Sequence, residues 1–170
     1  AACLFLERWG QGEGALVRLS KRVPAGAGLG GGSADAAATL LALDKLLPGR
    51  ADQGGLQACA SSLGADVSFA LMACGKPPGL MAIGSSAGDV VDPLGCIDRP
   101  LPLVVVVPRI HCSTPEVFAA LPNEIDWEPV SSASLLDALV GRDVEAAREA
   151  CFNRLGLAAF LVAPELAEID

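Results

Sequence analysis

Lys21-Arg22-Val23-Pro24-Ala25-Gly26-Ala27-Gly28-Leu29-Gly30-Gly31-Gly32-Ser33-Ala34-Asp35-Ala36-Ala37 is the stretch on which the reading of this chain turns. It sets five glycines within seven positions, directly ahead of Ala36-Ala37-Ala38-Thr39-Leu40-Leu41-Ala42-Leu43. Those strong helix formers predict a helix that opens at Ser33 and stops before Pro48-Gly49. Upstream, Ala15-Leu16-Val17-Arg18-Leu19 predicts a short strand ended by Pro24. Glycine has no Cβ, so such a connection can adopt positive φ and let backbone approach a ligand closely. The first N–H groups of the following helix have no intrahelical partner, and the helix dipole favours an anion there. The segment therefore predicts a phosphate site. One such interaction contributes ~0.3–1 kcal/mol when exposed and up to ~2 when partly buried, so several amides must converge to hold a triphosphate.

Other readings of the glycines are weaker. Gly26, Gly28 and Gly31 satisfy G-x-G-x-x-G, the dinucleotide fingerprint. That fingerprint needs a following strand that ends in an acid about 20 residues on. Here Asp44 falls inside the predicted helix, and no strand comes before the next one. A Walker loop is excluded, because Gly75-Lys76 is followed by Pro77. The bland alternative is a flexible connector between strand and helix.

Outward from the loop, residues Ala2 to Arg8 read as the tail of a helix broken by Gly10, Gly12 and Gly14. A helix is expected over Leu56–Leu63, ended by Gly64, and Val67–Met72 is apolar without a clear period. Gly75 to Gly95 is rich in Gly, Pro and Ser, with strand-like pieces at Leu80–Ile83 and Val90–Val91. Leu103 to Val107 is continuously apolar and predicts a buried strand. After Pro115 the pattern turns helical, at Glu116–Leu121, Ser134–Val140 and Val144–Cys151. Strands followed by clustered helices predict an α+β protein, with a domain boundary near Asp98-Arg99-Pro100.

Composition narrows the class. Of the 170 residues, 52% are hydrophobic and 19% charged, too apolar for a disordered chain. The densest apolar stretch, Leu101 to Val107, contains Pro102 and is far shorter than the ~20 residues a spanning helix needs. The formal charge is −8 with no basic run, which speaks against nucleic acid and membrane as partners. An acidic chain can still hold a nucleotide locally, through amides and a metal. The six cysteines form no C-x-x-C pair and read as reduced, mostly buried thiols. With His111 the only histidine, a protein-held metal centre has little support. The chain starts at Ala1 without a targeting pattern, and both ends read as cuts.

Four stretches, in order, carry a resemblance. Pro24 to Ala37 resembles the phosphate-binding motif of the GHMP small-molecule kinases, in its triple-glycine form. Ser62-Leu63-Gly64-Ala65-Asp66-Val67-Ser68-Phe69 is similar to that family's Leu-Gly-Ala-Asp-Val-Pro-Phe segment. Val107 to Phe118 resembles the strand and Ser-Thr-x-Glu-Val helix start that follow, and Asn153 to Leu166 a weaker Pro-Glu-Leu element. The resemblance implies an α+β GHMP kinase fold. It would comprise an incomplete ribosomal-protein-S5-domain-2-like N-terminal domain over residues 1–98 and part of a ferredoxin-like C-terminal domain over 99–170, with the active site between them. It implies ATP and Mg²⁺ as cofactors and a small-molecule acceptor, the 2-hydroxyl of a cytidyl-diphospho-methylerythritol. Asp66 would be the catalytic acid/base, and Pro24, Gly26, Gly28, Leu29, Gly30, Gly31, Gly32 and Ser33 would bind the cofactor. The family's lysine-bearing strand would precede Ala1 and its last glycine-rich loop would follow Asp170, so this segment by itself is expected to be inactive. The compartment implied is bacterial cytoplasm or plastid stroma.

The departures leave alternatives open. Ala34 stands where the family has a second serine, Ser68 where it has proline, and Arg154-Leu155-Gly156 where it has Asp-Leu-Glu. A non-catalytic nucleotide-binding relative, or a kinase for another small alcohol such as homoserine or mevalonate, remains possible at this point. Without its flanks Asp66 would read as a plain helix N-cap. Asp35 reads as a dipole complement with metal contact as a secondary reading, Lys21 and Arg22 as a solvated strand end that could also steer the nucleotide, and His111 as packed or locally bonded. Thr114-Pro115-Glu116 reads as a helix start.

Overall fold

A computed structural model describes residues 1–25, 27–76, 78–86, 88, 90–97, 101–121 and 132–169. The chain divides into two compact units, Ala1–Leu101 and Pro102–Asp170. The expected boundary residues 98–100 lie outside the described residues.

Among its described residues the first unit holds four helices and a hairpin: α1 (Ala2–Trp9), α2 (Gly31–Leu46), α3 (Gln53–Leu63), α4 (Ala65–Ala73), β1 (Leu80–Ser85) and β2 (Val90–Cys96). One apolar cluster joins the helices: Phe5 from α1, Ala37, Leu40 and Leu43 from α2, Leu56, Cys59 and Ala60 from α3, and Val67 from α4. The α2 members are spaced by three residues, so they form one stripe along the helix. Asp52 caps α3, its carboxylate accepting from the Gly55 N–H at 2.5 Å. This cap lets the helix begin at Gln53, ahead of the expected Leu56. The hairpin is antiparallel, pairing Leu80 with Cys96 and Ser85 with Val90, with an irregularity between Met81 and Ala82.

At the edge of this unit the Phe5 and Trp9 rings lie 4.9 Å apart, and the Arg8 guanidinium sits 5.1 Å from the Trp9 ring centre. Arg50, after α2, ties back to this corner. It pairs with Glu13 at 2.8 Å and donates to the Trp9 carbonyl. Arg50, helped by the Gln11 N–H, holds the Glu13 carboxyl at about 2, below its ordinary 4.5. A depressed acid stabilises the fold above its unfolded value, and that contribution is lost as pH falls through the folded value. The Glu13→Gln variant is therefore expected to melt below the parent at pH 6, with the gap closing as pH drops from 4.5 toward 2. Melting curves across that range check it.

The second unit is described by α5 (Thr114–Ala119), α6 (Ser132–Gly141), α7 (Val144–Ala150), α8 (Arg154–Val162) and a 3-10 turn over Pro164–Glu168. Val117, Ala138, Ala158 and Ala163 are buried within it. Asp143 and Asn153 cap α7 and α8 with their side chains. Ser113 precedes α5, with Pro115 in its first turn as expected.

Helix and strand mix as the α+β expectation requires, and four readings need correction. Ala15–Leu19 is not a strand, and Leu16 is 81% exposed. Leu103–Val107 is neither a strand nor buried, with Val104 94% exposed. Both carry strand-like sequence, yet a ladder needs a neighbour's N–H and C=O groups, and no described residue pairs with either. The cysteines are all free, but only Cys59 is buried, while Cys3, Cys96 and Cys151 are exposed. Finally, α2 opens at Gly31 rather than Ser33. No helix among the described residues is long and apolar enough to cross a membrane.

Candidate active site

The site is built where the glycine connection meets α2. Gly28 and Gly30 both take left-handed backbone, at φ 68° and 66°. A side chain there would be strained, although open space surrounds both Cβ positions. Gly30 is the N-cap, and no side chain caps the helix. The first intrahelical bond runs from the Ala34 N–H to the Gly30 carbonyl at 2.9 Å. The amides of Gly31, Gly32 and Ser33 thus form the open first turn, with the positive end of the helix dipole behind them. A Cβ on Gly31 would come within 3.2 Å of the partly exposed Val23 side chain, which would have to shift by a few tenths of an ångström to admit it.

Beside this turn lies a cavity of about 210 Å³, bounded by Ser20 to Val23 on one side and Gly31, Ala34 and Asp35 on the other. The Lys21 ammonium pairs with the Asp35 carboxylate across it. It also lies 3.6 Å from where a Gly31 Cβ would stand. A cation therefore sits against the first turn of α2, in a half-exposed pair that water screens. The sequence reading took Lys21 as a solvated strand end that could steer a nucleotide, and did not foresee its pairing with Asp35. A lysine ten residues ahead of the helix start was the available signal, but a spacing of 14 between Lys21 and Asp35 carries no local periodicity.

The remaining candidates fall as follows. Pro24 is exposed ahead of the loop, Leu29 is 47% exposed within it, and Gly26 lies outside the described residues. Asp66 is exposed in the first turn of α4, whose N-cap is Gly64. The plain N-cap reading of Asp66 is thereby corrected, because Gly64 occupies that position. Helix α4 shares the core with α2 through Val67, Ala37 and Leu40. Packed helices thus carry both the amide turn and the carboxylate, yet no hydrogen bond or ion pair joins them among the described residues. His111 is exposed, in the second unit.

A loop of left-handed glycines thus opens α2 beside a lysine, and comparison with known proteins shows what the chain is similar to. Residues 1–74, a little under half of the chain, match the family model described as the GHMP kinases N terminal domain. Over 169 residues it is 39% identical to a 4-diphosphocytidyl-2-C-methyl-D-erythritol kinase from Thermus thermophilus, covering 99% of this chain and 56% of that protein. It is 38% identical over 157 residues to a kinase of the same name from Nocardioides sp., covering 90% of this chain and 50% of that protein. A solved structure described as the crystal structure of 4-(cytidine 5'-diphospho)-2C-methyl-D-erythritol kinase superposes with a TM-score of 0.72 at 39% identity, covering 99% of this chain and 57% of that one. The chain thus spans about half the length of these relatives. The resemblance read from the glycine loop and the Asp66 segment holds.

Proposed function

We propose that this protein is an ATP-dependent small-molecule kinase that phosphorylates the 2-hydroxyl of 4-diphosphocytidyl-2-C-methyl-D-erythritol, in the non-mevalonate route to isoprenoids. The observation that carries this reading is the open first turn of α2, entered through Gly28 and Gly30, in a chain 39% identical to kinases of that name. The turn fits a phosphate chain, because its three amides lack a side-chain cap and space is open around Gly28, Gly30 and Gly32. When bound, ATP supplies the transferable γ-phosphoryl group and Mg²⁺ offsets its charge.

Within this reading, Gly28, Leu29, Gly30, Gly31, Gly32 and Ser33 hold the phosphates, with Pro24 and Gly26 completing the loop. The amides of Gly31 to Ser33 donate to phosphate oxygens, and Lys21 can add a donor beside them only by exchanging its Asp35 partner for phosphate. Phosphoryl transfer is mostly positioning and charge stabilisation, so this preorganised set of donors does much of the work. Asp66 accepts the proton of the acceptor hydroxyl as the new oxygen–phosphorus bond forms. No cluster of three or more metal-ligating side chains occurs among the described residues. Mg²⁺ would bind with the nucleotide's phosphates and at most one or two carboxylates of the protein, as is usual for this ion. Residues 1–98 form part of the nucleotide-binding domain and 99–170 part of the second, ferredoxin-like domain.

The intact protein, given ATP, Mg²⁺ and 4-diphosphocytidyl-2-C-methyl-D-erythritol, is expected to release ADP and form the 2-phosphate, read by phosphorus NMR. Homoserine and mevalonate serve as control acceptors. Turnover of a control in preference to the cytidyl substrate would reassign the acceptor, and no turnover of any would reject the kinase.

A further inference from the structure

Among the described residues, one polar side chain is fully buried, that of Ser68 on α4. Its Oγ lies 3.0 Å from the Oγ of Ser61 on α3. Ser61 itself donates to the Gln57 carbonyl at 3.1 Å. A hydroxyl has one proton. Ser61 spends its own on Gln57, so Ser68 donates to Ser61, and a hydroxyl relay runs from α4 into the backbone of α3.

We propose that this pair is a positioning device that sets the rotation of α4 about its axis, and so the direction in which Asp66 projects. Ser68 follows Asp66 by two residues, which on a helix is about 200° of rotation. The two side chains therefore leave opposite faces: Ser68 is buried against α3 and Asp66 is exposed. The other buried side chain of α4, Val67, makes apolar contacts, which are non-directional and tolerate some turning of the helix. The Ser61–Ser68 bond does not, because hydrogen bonds weaken steeply off axis and a buried hydroxyl without a partner is costly. It is thus the directional contact at the foot of α4. The inference rests on the reading of Asp66 as proton acceptor, and makes Ser61 and Ser68 positioning residues for it.

The test uses the intact protein with Ser68→Ala, Ser61→Ala, both together, and Ser61→Thr, each also combined with Asp66→Ala. A misplacement of about an ångström costs up to ~10²-fold in rate. Ser68→Ala and Ser61→Ala are therefore each expected to lower kcat by about 10- to 100-fold, with KM for ATP nearly unchanged. The double serine variant should fall no further than either single one. Ser61→Thr, which keeps the hydroxyl, should restore most of the rate. In the Asp66→Ala background the serine changes should leave the residual rate unmoved. If Ser68→Ala lowers only the melting temperature, or cuts the residual rate of Asp66→Ala as much as the parent rate, the positioning role is overturned. Should Ser68→Ala fail to fold, Ser61→Ala and Ser61→Thr carry the same comparison at the partly exposed end of the pair. Full activity in Asp66→Ala alone would instead overturn the catalytic reading, so the two failures are told apart.

Discussion

Asp66→Ala is expected to leave the fold intact and to remove most of the turnover. The side chain is exposed in the first turn of α4, and Gly64 rather than Asp66 caps that helix. Its loss therefore opens no cavity and unmakes no cap, and surface changes of this kind usually shift stability by no more than ~0.5 kcal/mol. General-base assistance contributes ~10²–10⁴-fold, so kcat should fall by that range while KM for ATP barely moves. Asp66→Asn should fall as far, since the amide keeps the shape and loses the basic oxygen. Steady-state kinetics with a melting curve on the same preparations check it. A variant that melts like the parent and turns over at the parent rate would take Asp66 out of the mechanism.

Gly30→Ala is the second large effect, and it acts on binding. Gly30 holds a φ of 66° and caps α2. Alanine in that conformation is strained by ~1–2 kcal/mol. No atom stands within 4 Å of its Cβ, so the fold survives the change. The methyl then projects from the loop, or the backbone relaxes and turns the Gly31 and Gly32 amides away from their common focus. Losing one or two such contacts at up to ~2 kcal/mol each weakens ATP binding by about 10- to 100-fold. Calorimetry on the intact protein measures it. Gly12→Ala, also at a positive φ in open space but ahead of the loop, is the control that should bind normally.

The loop and its helix were legible because their signals are local: glycines where the backbone turns left-handed, alanines where the helix packs. Their boundary was missed by two residues because Gly31 and Gly32 are poor helix formers, so the propensity signal starts only after them. Helix α4 was ambiguous because the adjacent residues Val67 and Ser68 are both buried, which blurs the period of an amphipathic helix. Ala15–Leu19 and Leu103–Val107 misled because an apolar run reports a tendency to be covered, not what covers it. Helix α8 was not anticipated at all, although Asn153 caps it in the ordinary way. The Lys21–Asp35 pair has no helical spacing, and Ser61 and Ser68, though seven apart, lie on two helices separated at Gly64, so only the packing of the elements brings each pair together.

The most direct test of the account follows the backbone amide resonances of the isotope-labelled intact protein while ATP and Mg²⁺ are added. The amides of Gly28 to Ser33 should show the largest shifts in the first domain, and inorganic triphosphate should reproduce them. If ATP binds with those resonances unmoved and the shifts gather elsewhere, the turn at the head of α2 is not the phosphate site, and the kinase mechanism built on it is wrong.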